Sequence, residues 1–145
     1  MLTKNMLVQD LAKTKPTRGV KSLNPNVSIR EFAKFLRQNN ISAAVLRHRN
    51  NKDAGVATER DLADAVAKGL DLDRILVHDI MTPIEKVRTV SPRSTVEEMM
   101  ADMVEYNHRH AFMRGTNGQI EEVFSMRDIN KALVKEQELI AIQGQ

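Results

Sequence analysis

Two short runs in this chain place a carboxylate three residues after a hydroxyl: Thr58-Glu59-Arg60-Asp61 and Ser125-Met126-Arg127-Asp128. In both, a strand-like pattern gives way to a helix-like one. The first turn of a helix offers unpaired amides and the positive end of its dipole, so a hydroxyl at that point suits a phosphate group. The carboxylate can accept two hydrogen bonds from the 2′ and 3′ hydroxyls of a ribose. The same spacing is also that of a capping box, which needs no ligand. Arg60 and Arg127 stand beside the aspartates, and a guanidinium fork fits a phosphate. A solvent-facing arginine would fit the same position, although a cation at a helix start is poorly matched to the dipole. The two runs together suggest a nucleotide sensor.

The elements that would hold these residues are written twice. The register that carries Thr58 onto Ser125 also carries Val20 onto Val87, Pro25 onto Pro92, Asn40 onto Asn107 and Arg47 onto Arg114 without a gap. Repetition at a fixed period marks one structural unit used twice. In the first copy Ser28-Ile29-Arg30-Glu31 reads as a capping box, followed by the apolar stripe Ile29, Phe32, Ala33 and Leu36. The second copy has Thr95-Val96-Glu97-Glu98, then Val96, Met99, Met100 and Met103. A strand is predicted after each helix, over residues 42–47 and 109–114. A polar turn follows, then a second strand over 55–57 or 120–124, then a helix starting near Asp61 or Asp128. Gly69 is placed to end the helix of the first copy. A looser echo precedes each copy: Leu7-Val8-Gln9-Asp10-Leu11 resembles Leu76-Val77-His78-Asp79-Ile80. The implied order is strand–helix–strand–strand–helix in each half, an α/β (α+β) fold. The halves divide at 1–76, with the N-terminal segment, and 77–145, with the C-terminal helix. Residues Ile129 to Ile142 are rich in helix formers, and their apolar positions predict a helix docked on the core or on a second copy of the chain.

Composition narrows the function classes. With 41% hydrophobic residues, no Trp, one Tyr, four Phe and eight Met, the core must be mostly aliphatic. The absence of Cys excludes disulfides and zinc–thiolate sites and fits a reducing cytoplasm. The first eight residues lack a long apolar run, and no stretch approaches the length of a membrane span, so a soluble, cytoplasmic chain without a membrane partner is expected. A net charge of +3 does not by itself argue for nucleic acid. The basic residues cluster only at Arg47-His48-Arg49 with Lys52, and at His108-Arg109-His110 with Arg114. Both clusters sit at ends of predicted strands, which fits local anion sites better than a basic stripe. His108 and His110 on one strand would share a face, but no third ligand is evident, so no metal is expected. No nucleophile–base pair, P-loop or dinucleotide fingerprint is present, so catalysis is not expected. The Met stripe reads as core filling or a dimer face.

Val77-His-Asp-Ile-Met-Thr82, Val90-Ser-Pro92 and Val56-Ala-Thr-Glu-Arg-Asp61 together resemble the cystathionine-β-synthase (CBS) domain over nearly the whole chain. Two such domains in tandem form a Bateman module. The resemblance implies two β-α-β-β-α repeats with pseudo-twofold symmetry, and an adenosine derivative as ligand: AMP, ADP, ATP, S-adenosylmethionine or NAD. It implies a regulatory, non-catalytic sensor that signals to a protein partner not identified by the sequence, and a homodimer. The family's Thr/Ser-x-x-Asp carries over to Thr58, Asp61, Ser125 and Asp128. Its basic residue at the strand start carries over to Arg109 and His110, where the first copy has Ser42 and Ala43. With Arg60 and Arg127 these make the expected nucleotide-binding set, and phosphate should favour the second copy.

The chain departs from the family pattern at Val45 and Phe112 (proline in the family), at Arg47 and Arg114 (an acidic residue) and at Glu122. Glu122 stands where Gly55 keeps the family's glycine, and would face an anion or lie on the outside of its strand. The rival readings are a structural dimerisation adaptor with degenerate clefts and a nucleic-acid-binding module. The latter requires Arg47, Arg49, Lys52 and Arg114 to form one continuous surface.

Overall fold

The computed structural model describes residues 5–144. Four of the eight N-terminal residues considered above, Met1 to Lys4, lie outside them. In chain order the elements are α1 (Val8–Ala12), β1 (Ser22–Leu23), α2 (Ile29–Asn39), β2 (Ala43–Arg47), β3 (Asp53–Thr58) and α3 (Glu59–Ala67). They continue with β4 (Thr82–Pro83), β5 (Thr89–Val90), α4 (Val96–Glu105), β6 (His110–Arg114), β7 (Ile120–Ser125) and α5 (Met126–Gln143). The expected β-α-β-β-α order is therefore present twice, as β1-α2-β2-β3-α3 and β5-α4-β6-β7-α5, in a mixed helix and sheet fold. Short 3₁₀ turns at Val77–Asp79 and Ile84–Lys86 flank β4.

The compact units and the sequence halves are different divisions of the chain. One unit is Val20–Val87; the other joins the described residues of Met1–Gly19 to those of Arg88–Gln145. The echo between residues 7–11 and 76–80 shows why. In the first unit the amides of Val77 and His78 donate to the carbonyls of Val27 and Pro25, at 2.8 and 3.0 Å. In the other, the amides of Val8 and Gln9 donate to Ser94 and Pro92, again at 2.8 and 3.0 Å. Each echo segment thus docks in front of a capped helix (α2 or α4), and the one that opens the chain serves the second copy. The paired residues Pro25/Pro92 supply equivalent carbonyl acceptors. Asn40 and Asn107 follow α2 and α4 with φ of 52° and 54°, a left-handed conformation that asparagine tolerates better than most residues.

In the unit Val20–Val87 the sheet order is β1-β2-β3-β4, with β1 parallel to β2 and the other pairs antiparallel. Phe32, Leu36, Ala44, Leu46, Ala57 and Val77 form its core. Among its described residues the other unit has three strands, β5-β6-β7, over a core of Leu11, Met99, Met103, Phe124 and Ile129. Met99 and Met103 are buried, so they fill the core and offer no dimer face. Ile129 is buried and Leu133 packs partly against the core, whereas Leu139 and Ile140 are exposed. The first half of α5 docks and the second half does not.

The missing fourth strand explains Glu122. A Cβ at Gly55 would sit 2.3 Å from the carbonyl oxygen of Thr82, because β4 lies against β3 there. Among the described residues β7 has no such neighbouring strand, and its position equivalent to Gly55 accommodates a full carboxylate. Glu122 lies on the same strand face as Ile120 and Phe124 and is 2% exposed, so it does not lie on the outside of the strand. Its Oε1 accepts from the Gly19 amide (3.1 Å) and Arg18 Nε (3.4 Å), and its Oε2 from Lys15 Nζ (3.3 Å). Lys15 also donates to the carbonyl of Val123 at 2.6 Å. Removing one member of a buried ion pair leaves the other uncompensated, at a cost of about 3 kcal/mol. Glu122→Ala should therefore lower the unfolding free energy in urea by about 3 kcal/mol, and Lys15→Met in that background should recover part of it. A loss no larger than that of the exposed Glu121→Ala would refute this account.

Candidate functional site

Each hydroxyl–carboxylate run forms the corner between a strand and the next helix. Thr58 ends β3 and caps α3; Ser125 ends β7 and caps α5. Both corners close as complete capping boxes. The Thr58 amide donates to Asp61 Oδ2 at 2.8 Å, and the Asp61 amide donates to Thr58 Oγ1 at 3.4 Å. At the second corner the corresponding distances are 2.8 and 3.2 Å. The hydroxyls of Thr58 and Ser125 also donate to Oδ2 of their aspartates, at 3.3 and 3.1 Å. The bonds to each carboxylate all use the same oxygen, Oδ2. Oδ1 of each aspartate takes no donor among the described residues and is available to a ligand hydroxyl. The capping and ligand readings are therefore compatible, because the box orients the carboxylate and leaves half of its acceptor capacity.

The strand register brings the remaining residues to the same corners. Ala43 pairs directly with Thr58, and His110 with Ser125. The residues before those strands cap the helices from the other side: the Glu59 amide donates to Ser42 O at 3.0 Å, and the Met126 amide to Arg109 O at 3.2 Å. Arg109, His110, Ser125, Arg127 and Asp128 thus converge on one corner, and Thr58, Arg60 and Asp61 on the other. Arg60, Arg109 and Arg127 are exposed, whereas His110, Asp61 and Asp128 are partly withdrawn from solvent. The first corner lacks a cation at the strand start, where it has Ser42 and Ala43.

Burial sets the charge state of two of these groups. Burial lowers the pKa of His110 below 6.5, and nearby Arg109 lowers it further, while Asp128 pulls it up. At neutral pH His110 is a neutral hydrogen-bonding ring beside the cation Arg109. Asp61 is pushed above 3.8, first by burial; its bonds to Thr58 act in the opposite direction.

Several residues fall outside the corners. His108 precedes β6, stacks on Tyr106 with ring centroids 6.1 Å apart and is exposed, so the His-x-His pair does not share a strand face. Among the described residues no group of three or more His, Asp and Glu is arranged to hold a metal ion, and no helix is long and apolar enough to cross a membrane. Arg47 is committed to Asp53 at 2.7 Å with 16% of its side chain exposed, which withdraws it from any continuous basic surface. Sequence reasoning did not find the Lys15 and Arg18 bonds to Glu122, over 100 residues away in the chain. The available signal was a carboxylate at a strand position whose counterpart, Gly55, faces the core.

Comparison with known proteins agrees with this geometry. The profile of the CBS domain matches residues 8–68 and again 77–135. An uncharacterised 17.7 kDa protein of Acidianus ambivalens is 30% identical over 132 residues, covering 88% of this chain and 73% of the relative. A CBS domain protein from Pyrobaculum aerophilum, whose crystal structure is a complex with AMP, is 32% identical with a TM-score of 0.73, covering 85% of this chain and 89% of that one. A CBS-domain containing protein from Agrobacterium tumefaciens is 32% identical with a TM-score of 0.78, covering 87% and 97%. Two profile matches on two strand-to-helix corners of one design show that the chain belongs to the CBS domain family, as a tandem pair of CBS domains.

Proposed function

We propose that this chain is a non-catalytic regulatory module that binds an adenine nucleotide (AMP, ADP or ATP) at its strand-to-helix corners and signals occupancy to a protein partner. The observation that carries the reading is the duplicated corner itself: a hydroxyl-capped helix start beside an aspartate with one free oxygen. Phosphate would lie at the positive end of the helix dipole, against the cap hydroxyl and the neighbouring guanidinium groups, and ribose would take the free carboxylate oxygen. The relative that is a complex with AMP supports the choice of nucleotide. The second corner is the stronger phosphate site, because Arg109 and Arg127 add charge-assisted bonds, which are about twice as strong as neutral ones. The charge of Glu122 does not oppose this, since Lys15, Arg18 and the Gly19 amide already satisfy it.

Calorimetry with AMP, ATP, adenosine, S-adenosylmethionine and NAD tests the proposal. Asp128→Ala should weaken AMP binding more than Asp61→Ala does, by roughly tenfold for a lost charge-assisted pair. Arg109→Ala should weaken AMP and ATP but spare adenosine. Equal losses for adenosine and AMP would remove the phosphate role of Arg109, and an unaffected Asp128→Ala would reduce the corner to a helix cap. No binding of any adenosine compound would leave the dimerisation adaptor.

The state of His110 gives a pH signature. Its folded pKa lies below its unfolded value of 6.5, so its stabilising contribution is complete above 6.5 and is lost as pH falls through the folded value. Urea midpoints measured between about pH 7.5 and 5.5 should fall with acidification, and His110→Gln should flatten that part of the curve. An unchanged slope in the variant would refute the assignment.

The chain is also expected to be a homodimer. Val134, Leu139, Ile140 and Ile142 are 48–68% exposed on α5, and isologous pairing is the commonest way to bury such a surface. Sedimentation of a monomer independent of concentration would refute this.

A further inference from the structure

The Arg47-His48-Arg49 cluster is not explained by the nucleotide corners. Ala43, at one end of β2, pairs with Thr58; Arg47, at the other end, pairs with Asp53. Four residue steps along a strand separate these ends by about 13 Å. Beyond Arg47 lies an open depression of about 750 Å³ lined by Asn24, Asn26, Val27, His48, Arg49 and Asn50.

Hydrogen bonding inside this wall occupies the side-chain acceptors of two of its asparagines. Asn24 Oδ1 accepts from the Asn26 amide at 2.9 Å, and Asn50 Oδ1 accepts from the Lys52 amide at 3.1 Å. Both carboxamide oxygens are thereby held against the backbone, and the NH₂ groups of the same side chains are left to donate elsewhere. The hairpin backbone is self-satisfied: the His48 amide donates to Lys52 O and the Asn51 amide to His48 O, both at 2.9 Å. Arg49 forms no ion pair with a described residue, whereas its neighbour Arg47 is held by Asp53. No carboxylate lines the depression. A guanidinium without an ion pair, an imidazole and two carboxamide NH₂ groups whose oxygens are already engaged, around one hollow, are complementary to an oxyanion. In the second copy, Gly115, Thr116 and Asn117 occupy the positions of His48, Arg49 and Asn50, so the guanidinium and imidazole are lost and the feature belongs to the first copy alone.

We infer that the β2–β3 hairpin and the Asn24–Asn26 turn form a second anion site, which takes inorganic phosphate or a terminal phosphate group and is separate from the nucleotide corners. The site is open to solvent, so its affinity for phosphate should be modest, with a dissociation constant on the order of 1 mM.

The test is a titration of the full chain with inorganic phosphate at constant ionic strength, followed by NMR of the His48 ring and the Asn side-chain amides. Saturable shifts at His48, Asn24 and Asn50 are expected. Arg49→Ala should weaken binding by roughly tenfold and Arg49→Lys by less, because lysine keeps the charge without the fork. The double variant Asp61→Ala, Asp128→Ala should retain the site, which separates this result from failure of the nucleotide reading. A parallel titration of the double variant with AMP distinguishes the sources: shifts at the hairpin identify a nucleotide phosphate as a ligand, and shifts with inorganic phosphate alone restrict the site to the free ion. Absence of saturable shifts with phosphate, or shifts equally strong in Arg49→Ala, would overturn the inference.

Discussion

The strand-to-helix corner is the constraint around which each repeat is built. A helix start leaves backbone amides without intrahelical partners. Here the cap hydroxyl, the aspartate three residues later and the carbonyl of the residue preceding the neighbouring strand satisfy the cap amide and the first and third helical amides. The strand, the helix and the adjacent strand are thereby tied at one point. Because the aspartate spends a single oxygen on the cap, the same residues that stabilise the turn remain chemically competent towards a ligand.

The two units solve the edge of the sheet differently. In one, β4 lies along β3 so closely that Gly55 has no room for a Cβ. In the other, the segment Lys15–Gly19 reaches β7 through side chains and one amide, and buries Glu122 between opposite charges. A buried carboxylate is tolerated there because its partners arrive with it. The far ends of the hairpins diverge in the same manner. Arg47 is neutralised by Asp53, while Arg114 pairs in register with Ile120, and its Nε is buried without a hydrogen-bond partner among the described residues. Repetition preserved the backbone design and let the charge at its edges drift.

That drift leaves the two copies with different charged groups at the ends of their hairpins. The second corner has the cation Arg109 beside His110 at the strand start; the first copy has His48 and Arg49 at the far end of its hairpin instead.

The local signals were legible in the chain. Capping boxes, the apolar stripes of α2 and α4, turn residues and the repeat register depend on contacts within a few positions, so residue spacing reports them directly. This is why the element order and the two hydroxyl–carboxylate turns could be read from sequence, whereas the pairing of His110 with Ser125 is set by the strand register. The partner of Glu122, the docking of residues 8–12 against the second copy and the neutral state of His110 could not be read in this way. Each depends on which groups meet across more than 80 positions or on how much water is excluded from a side chain. Both conditions are set by the folded chain as a whole. The sequence by itself determined the repeated unit and its corners; tertiary structure decided which charges are paired, which are buried and which remain to meet a ligand, because electrostatic partners and desolvation exist only once distant segments have been brought together.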